Sequence, residues 1–173
     1  MWNNIFMQRT VITMMQKILE ILENDCNTPL EQIALMTDST TAAVAAEIDK
    51  LQKDNIILRN KSVINWEKTN KEFVTALIEL KVTPQRGEGF DKIAERIYKF
   101  PEVKSVYLMA GAFDLTVIIE GKTMKEVALF VANRLAPMDS VVSTGTHFVL
   151  KKYKDEGIIF DDNEKDCRQV ITL

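Results

Sequence analysis

Apolar residues between Phe73 and Tyr153 switch between a period of two and a period near 3.6, and the switches mark elements. Val74, Ala76, Ile78, Leu80 and Val82 alternate with mostly polar neighbours, which predicts a strand with one face in a core. Thr83-Pro84-Gln85-Arg86-Gly87-Glu88-Gly89 breaks it. Phe90, Ile93, Ala94 and Ile97 lie at helical spacing, and this helix must end before Pro101. Two strands follow, Val103 to Met109 and Phe113 to Ile119, joined through Ala110-Gly111-Ala112, and Glu120-Gly121 turns the chain. Thr123 and Glu126 predict a capping box, with Met124, Val127, Ala128, Val131 and Leu135 as the buried stripe of a second helix. Pro137 closes that helix, and a last strand runs from about Val141 to Tyr153.

This order predicts an α+β fold, a ferredoxin-like split βαβ sandwich: an antiparallel sheet with both helices on one face. The other face carries Thr75 and Leu77, with either Tyr107 and Met109 or Val106 and Leu108. Neither set suits water, so the face needs a cover, and a second copy in a symmetric dimer is expected to supply it.

The first part of the chain reads differently. Residues 1–14 lack caps and read as an extension. Met15, Ile18, Leu19 and Leu22 form a helical stripe ending near Asn24-Asp25. Thr28 as N-cap, Pro29 in the first turn and Glu31 predict a second, short helix with Leu30, Ile33 and Ala34 inward. Thr37-Asp38-Ser39 is a turn able to cap a third helix, in which Val44, Ile48 and Leu51 face the core. Asn55 suits the left-handed conformation that ends it. Ile56-Ile57-Leu58 and Val63-Ile64-Asn65-Trp66, linked by Arg59-Asn60-Lys61-Ser62, predict a hairpin. Three helices with a tight turn and a hairpin make a winged helix-turn-helix over 15–66, followed by a linker, 67–72, and the sandwich domain, 73–154. In the tail, 155–173, Val170 and Ile171 are expected to pair with a sheet edge.

Composition narrows the chemistry. A chain of 173 residues suits one large or two small domains, and 46 % hydrophobic with 27 % charged residues is ordinary for a globular protein. The net charge of −3 supplies no overall basic field. Two cysteines, Cys26 and Cys167, make neither a disulfide framework nor a metal quartet, and the one histidine, His147, excludes sites needing two. No apolar run suits a membrane span and no secretory signal is legible, so a cytoplasmic location is expected.

Val106-Tyr107-Leu108-Met109-Ala110-Gly111-Ala112-Phe113-Asp114 is similar to the strand–Gly-x-x-Asp–strand signature of the Lrp/AsnC regulators, and Thr146-His147-Phe148-Val149-Leu150-Lys151 also resembles that family. The likeness covers about Met15 to Tyr153. It implies a DNA-binding transcriptional regulator that dimerises through its sandwich, often assembles to octamers, and binds an amino acid or similar small effector between dimers. Effector-binding positions would be Met109, Gly111, Asp114 and Thr146. No cofactor beyond such an effector, no metal and no catalysis are implied.

The third helix departs from the family's habit of basic or polar outward residues: Thr41, Ala42, Ala45, Ala46, Glu47 and Asp49 face out. DNA contact is therefore expected from Ser39, Thr40, Thr41, Lys50, Arg59 and Lys61. An alternative is a sensor or assembly protein with little DNA binding, and a further one is a siroheme-decarboxylase-like enzyme. Gly111 also has a plain explanation, a turn needing positive φ, and Asp114 another, accepting backbone N–H groups there.

Overall fold

The computed structural model describes residues 13–84 and 89–160, and these fall into two units that divide between Ser62 and Val63. Arg86, Cys167, Val170, Ile171 and nearly all of the N-terminal extension lie outside the described residues.

The first unit is built from three helices: α1 (Met14–Asn24), α2 (Leu30–Thr37) and α3 (Thr41–Lys53). Ile18, Ile33, Ala34, Val44 and Leu51 form its buried core. Thr13 caps α1 through a capping box with Gln16, which apolar spacing alone had not revealed. The expected cap of α2 is not made. Pro29 stands at the cap position without a side-chain bond, and the Thr28 hydroxyl donates to the Asp25 carbonyl at 2.8 Å. Helix α2 stops where Asp38 turns left-handed (φ 53°) and the Ser39 N–H returns to the Ala34 carbonyl. Asn55 ends α3 in the expected left-handed state (φ 56°), with the Ile56 N–H bonded to the Leu51 carbonyl.

The predicted hairpin over 56–66 is absent among the described residues: no ladder forms, and Trp66–Lys68 is a single 3₁₀ turn. Ile56, Leu58 and Ile64 are exposed, so nothing buries the face that a hairpin would need, and the Arg59–Ser62 link has no glycine to fix a tight turn. That 3₁₀ turn also occupies the start of the expected linker.

The second unit is the expected sandwich. Strands β1 (Val74–Val82), β2 (Val103–Leu108), β3 (Leu115–Gly121) and β4 (Val141–Phe148) form one antiparallel sheet in the order β2-β3-β1-β4. Helices α4 (Gly89–Tyr98) and α5 (Met124–Phe130) supply Ile93, Ile97, Val127 and Phe130 to the core made by Ala76, Ile78, Leu80, Leu115, Val117 and Ile119. Gly121 lets α5 close on the end of β3, because a Cβ there would meet Val127 Cγ2 at 2.9 Å. The stripe of α5 differs from expectation: Met124 and Ala128 are exposed, and Phe130 is buried edge-on against Phe100. Its last turn, Val131–Leu135, is π-helical, with the Ala136 N–H reaching the Val131 carbonyl. The last strand is shorter than predicted. Beyond Phe148 the chain forms a small hairpin, β5 (Lys154–Asp155) and β6 (Ile158–Ile159), over a Glu156-Gly157 turn with both φ values positive.

Ile18 is wholly buried in a small core, so Ile18→Ala is expected to destabilise the first unit by ~2–4 kcal/mol. Hydrogen exchange should then accelerate at least about tenfold across α1 to α3 and stay unchanged across β1 to β4; uniform acceleration would contradict two separate cores.

Candidate DNA interface and effector loop

Three residues, Asp38 to Thr40, separate α2 from α3, and the left-handed Asp38 sets the sharp turn of a helix-turn-helix. Val44, Leu51 and Ile48 hold the inner side of α3 against α1 and α2. Its first two turns present Thr41, Ala42, Ala43 and Ala46 to solvent, and Asp49, Lys50 and Lys53 follow in the last turns. This is the placement a recognition helix needs, with a surface weak in hydrogen-bond donors.

The expected DNA contacts separate into groups. Ser39 is half-buried and its hydroxyl is directed at Met14 Sδ, 3.8 Å away, so it serves the packing of α1 on the turn. Thr40 is the N-cap of α3, accepting from the Ala43 N–H at 3.2 Å, and it remains exposed at the helix start. Thr41 and Lys50 are exposed on α3. Arg59 and Lys61 are exposed on the irregular segment after it. In the same unit, an open groove of about 410 Å³ between α1 and α2 is lined by Glu20, Asp25, Gln32 and Met36, among others. Its two carboxylates have the wrong sign for a phosphate backbone.

The loop from Met109 to Asp114 joins β2 to β3 in the second unit. The Met109 N–H donates to the Asp114 carbonyl at 2.8 Å, and the Asp114 N–H donates to the Leu80 carbonyl at 3.0 Å. Asp114 is half-buried, and its Oδ2 accepts the Val82 N–H at 2.8 Å. The carboxylate thus completes the end of β1, across the sheet rather than within its own turn. Gly111 is exposed, has no left-handed φ, and has open space where a Cβ would go, so the turn itself does not require glycine. The N–H groups of Ala110, Gly111, Ala112 and Phe113 donate to no other backbone group among the described residues. Met109, Ala110, Gly111 and Ala112 are open to solvent, and Phe113 is half-buried.

Thr146 is exposed on β4 opposite Ile78, whereas Asp114 lies beyond Leu115, the partner of Leu80, on the other side of β1. Register and strand spacing put the two roughly 14 Å apart within one chain. Met109, Gly111 and Asp114 share one loop; Thr146 does not join them there.

Comparison with known proteins adds two kinds of likeness. The Lrp/AsnC ligand binding domain matches residues 75–159. An uncharacterised HTH-type transcriptional regulator of Bacillus subtilis, YugG, is 50% identical over 157 residues, covering 90% of this chain and 95% of the relative. The HTH-type regulator LysM of Saccharolobus solfataricus is 30% identical over 137 residues, covering 79% and 92%. Among solved structures, a Neisseria meningitidis transcriptional regulator in complex with L-Met superposes with a TM-score of 0.67 at 20% identity, covering 83% and 92%. Escherichia coli AsnC gives 0.62 at 15% identity, covering 80% and 91%.

Removal of the Asp114 acceptor strands the Val82 N–H. Asp114→Ala is therefore expected to lower stability by ~1–2 kcal/mol, and Asp114→Asn, whose amide oxygen still accepts, by clearly less. Thermal unfolding of the two variants checks this, and an alanine variant that melts with the parent would remove the structural role.

Proposed function

The chain belongs to the Lrp/AsnC family of transcriptional regulators, and on that premise we propose that it binds double-stranded DNA through α3 and answers to an amino acid held at the Met109–Asp114 loop. The observation that carries the DNA reading is the Asp38–Thr40 turn, which leaves the N-terminal half of α3 free on the surface. Thr40, Thr41, Lys50, Arg59 and Lys61 are the exposed donors available to phosphates. Ser39 is withdrawn from that set by its contact with Met14.

The effector reading rests on the loop's unbonded amides. An arc of free N–H groups suits a carboxylate, and the Asp114 carboxylate, half-buried beside it, suits an ammonium group. A zwitterionic amino acid offers both. A regulator of the same fold is known in complex with L-Met, which is consistent with this ligand class. Thr146 lies too far away to complete the site within one chain, so its part would be played from a neighbouring copy. A dimer closed over the open sheet face, and dimers associating through their loops, would bring such copies together. Effector binding would then alter how dimers associate and how the helix-turn-helix pairs are spaced along DNA.

The alanine-rich and acidic outer face of α3 favours a second reading, a sensor that binds DNA weakly or not at all. Fluorescence anisotropy with the protein's own upstream duplex separates the two. The regulator reading expects binding at about 50 mM salt that weakens steeply towards about 200 mM. Lys50→Ala, Arg59→Ala or Lys61→Ala should each reduce the salt slope by about one. Absence of binding at low salt would overturn it. Thermal shift with single amino acids tests the effector: at about 100-fold excess over Kd, a true effector adds ~2.7 kcal/mol of stability. No shift with any amino acid would overturn that part.

A further inference from the structure

The segment between the two units is folded. Charge and the lack of apolar spacing mark 67–72 as a linker, yet its backbone is bonded along much of its length. The Trp66 N–H donates to the Ile64 carbonyl at 3.1 Å, and the Asn65 side chain accepts the Glu67 N–H at 3.2 Å. Thr69 donates twice to the Trp66 carbonyl, through its N–H at 3.0 Å and its hydroxyl at 2.8 Å. The same hydroxyl accepts the Lys71 N–H at 3.2 Å. Thr69 thus turns the chain back on itself. The Lys71 ammonium comes to lie 4.0 Å from the Trp66 ring centre and 5.6 Å from that of Phe73, so one cation is shared by two rings. Both rings are half-buried, and β1 begins directly after Phe73.

The stretch just before this fold is its opposite. Leu58, Arg59, Asn60, Lys61 and Ser62 are all exposed and belong to no helix, strand or turn. None of the five takes part in a hydrogen bond, ion pair or ring contact among the described residues. Ile57, before them, is still tied to α3 through the Leu51 carbonyl. Exposed, unbonded backbone between two bonded segments is where a chain bends most readily.

We propose that Trp66, Lys71 and Phe73 form a latch that joins the nominal linker to the second unit and leaves Leu58–Ser62 as the pivot between the units. With the latch closed, the free connection is these five residues, which span at most about 17 Å. With the latch open it runs on to Glu72 and spans up to about 50 Å. The latch therefore sets how far apart a pair of helix-turn-helix units can reach, and so which half-site spacings one assembly can occupy. That consequence rests on the DNA-binding reading above; the latch itself does not. The ammonium is the necessary part, because no direct ring pair joins Trp66 to Phe73 among the described residues. A neutral side chain at position 71 leaves the two rings with nothing to hold them together.

Limited trypsin digestion of the full chain reads both halves of the proposal, because Arg59, Lys61, Lys68 and Lys71 are all cleavage points. Cleavage after Arg59 and Lys61 is expected to be at least about tenfold faster than after Lys68. Equal rates would overturn the pivot. Lys71→Gln removes the charge; it should speed cleavage after Lys68 about two- to fivefold and leave cleavage after Arg59 unchanged. Lys71→Arg, whose guanidinium also stacks on aromatic rings, should match the parent to within about 1.5-fold. Lys71→Gln cut like the parent, or cut faster by the same factor after Arg59, would overturn the latch. Trp66→Ala should accelerate the same cut after Lys68, and Lys71→Gln added to it should contribute clearly less than it does alone. Effects that simply multiply would overturn a shared contact. None of these readings uses DNA. A failed latch therefore leaves the DNA-binding reading standing, and a chain that binds no duplex leaves the latch standing.

Discussion

Everything in the second unit follows from the pleat of β1. Alternation places Ala76, Ile78, Leu80 and Val82 under α4 and α5, and so forces Thr75, Leu77, Glu79 and Lys81 to the opposite face. The neighbouring strands obey the same register, which brings Ile118, Tyr107 and His147 to that face as well. A one-residue slip would exchange the two sets and drown the core, so register is held firmly. The consequence is a mixed surface, apolar in the middle, with a tyrosine, a carboxylate and a histidine around it. In the proposed dimer a second copy covers this face, and such a pairing would let a small effector act on paired DNA-binding units.

The C-terminal end of β1 shows how the sheet positions the candidate effector loop. Asp114 terminates the strand by taking the Val82 N–H, and its own N–H holds the Leu80 carbonyl. The loop before it is left with its amides unspent and exposed. Asp114 therefore has a structural task, and the binding role proposed for it is compatible with that task because a carboxylate accepts several hydrogen bonds. In the first unit the corresponding economy is at the turn, where Ser39 faces inward, Thr40 caps and Thr41 opens the exposed face of α3.

Much of this was legible in the chain. The βαββαβ order, the faces of β1 and the Asn55 stop all follow from period and local chemistry, which are properties of neighbouring residues. The hairpin expected after α3 does not form: the short apolar runs Ile56-Ile57-Leu58 and Val63-Ile64 have strand character whether or not anything buries them. Phe130 was missed for the opposite reason: its burial depends on Phe100, thirty positions away, and on the π-helical turn that follows it. The resemblance put Asp114 and Thr146 at one effector site between dimers; within a single chain, register sets them on opposite sides of β1.

The claim on which the rest depends is that the sandwich buries its open face against a second copy. Sedimentation equilibrium of the unmodified protein at low micromolar concentration measures this directly. The account predicts a mass of twice 19.8 kDa or a multiple of that pair. A cooperatively folded species of 19.8 kDa that stays single as concentration rises would contradict it.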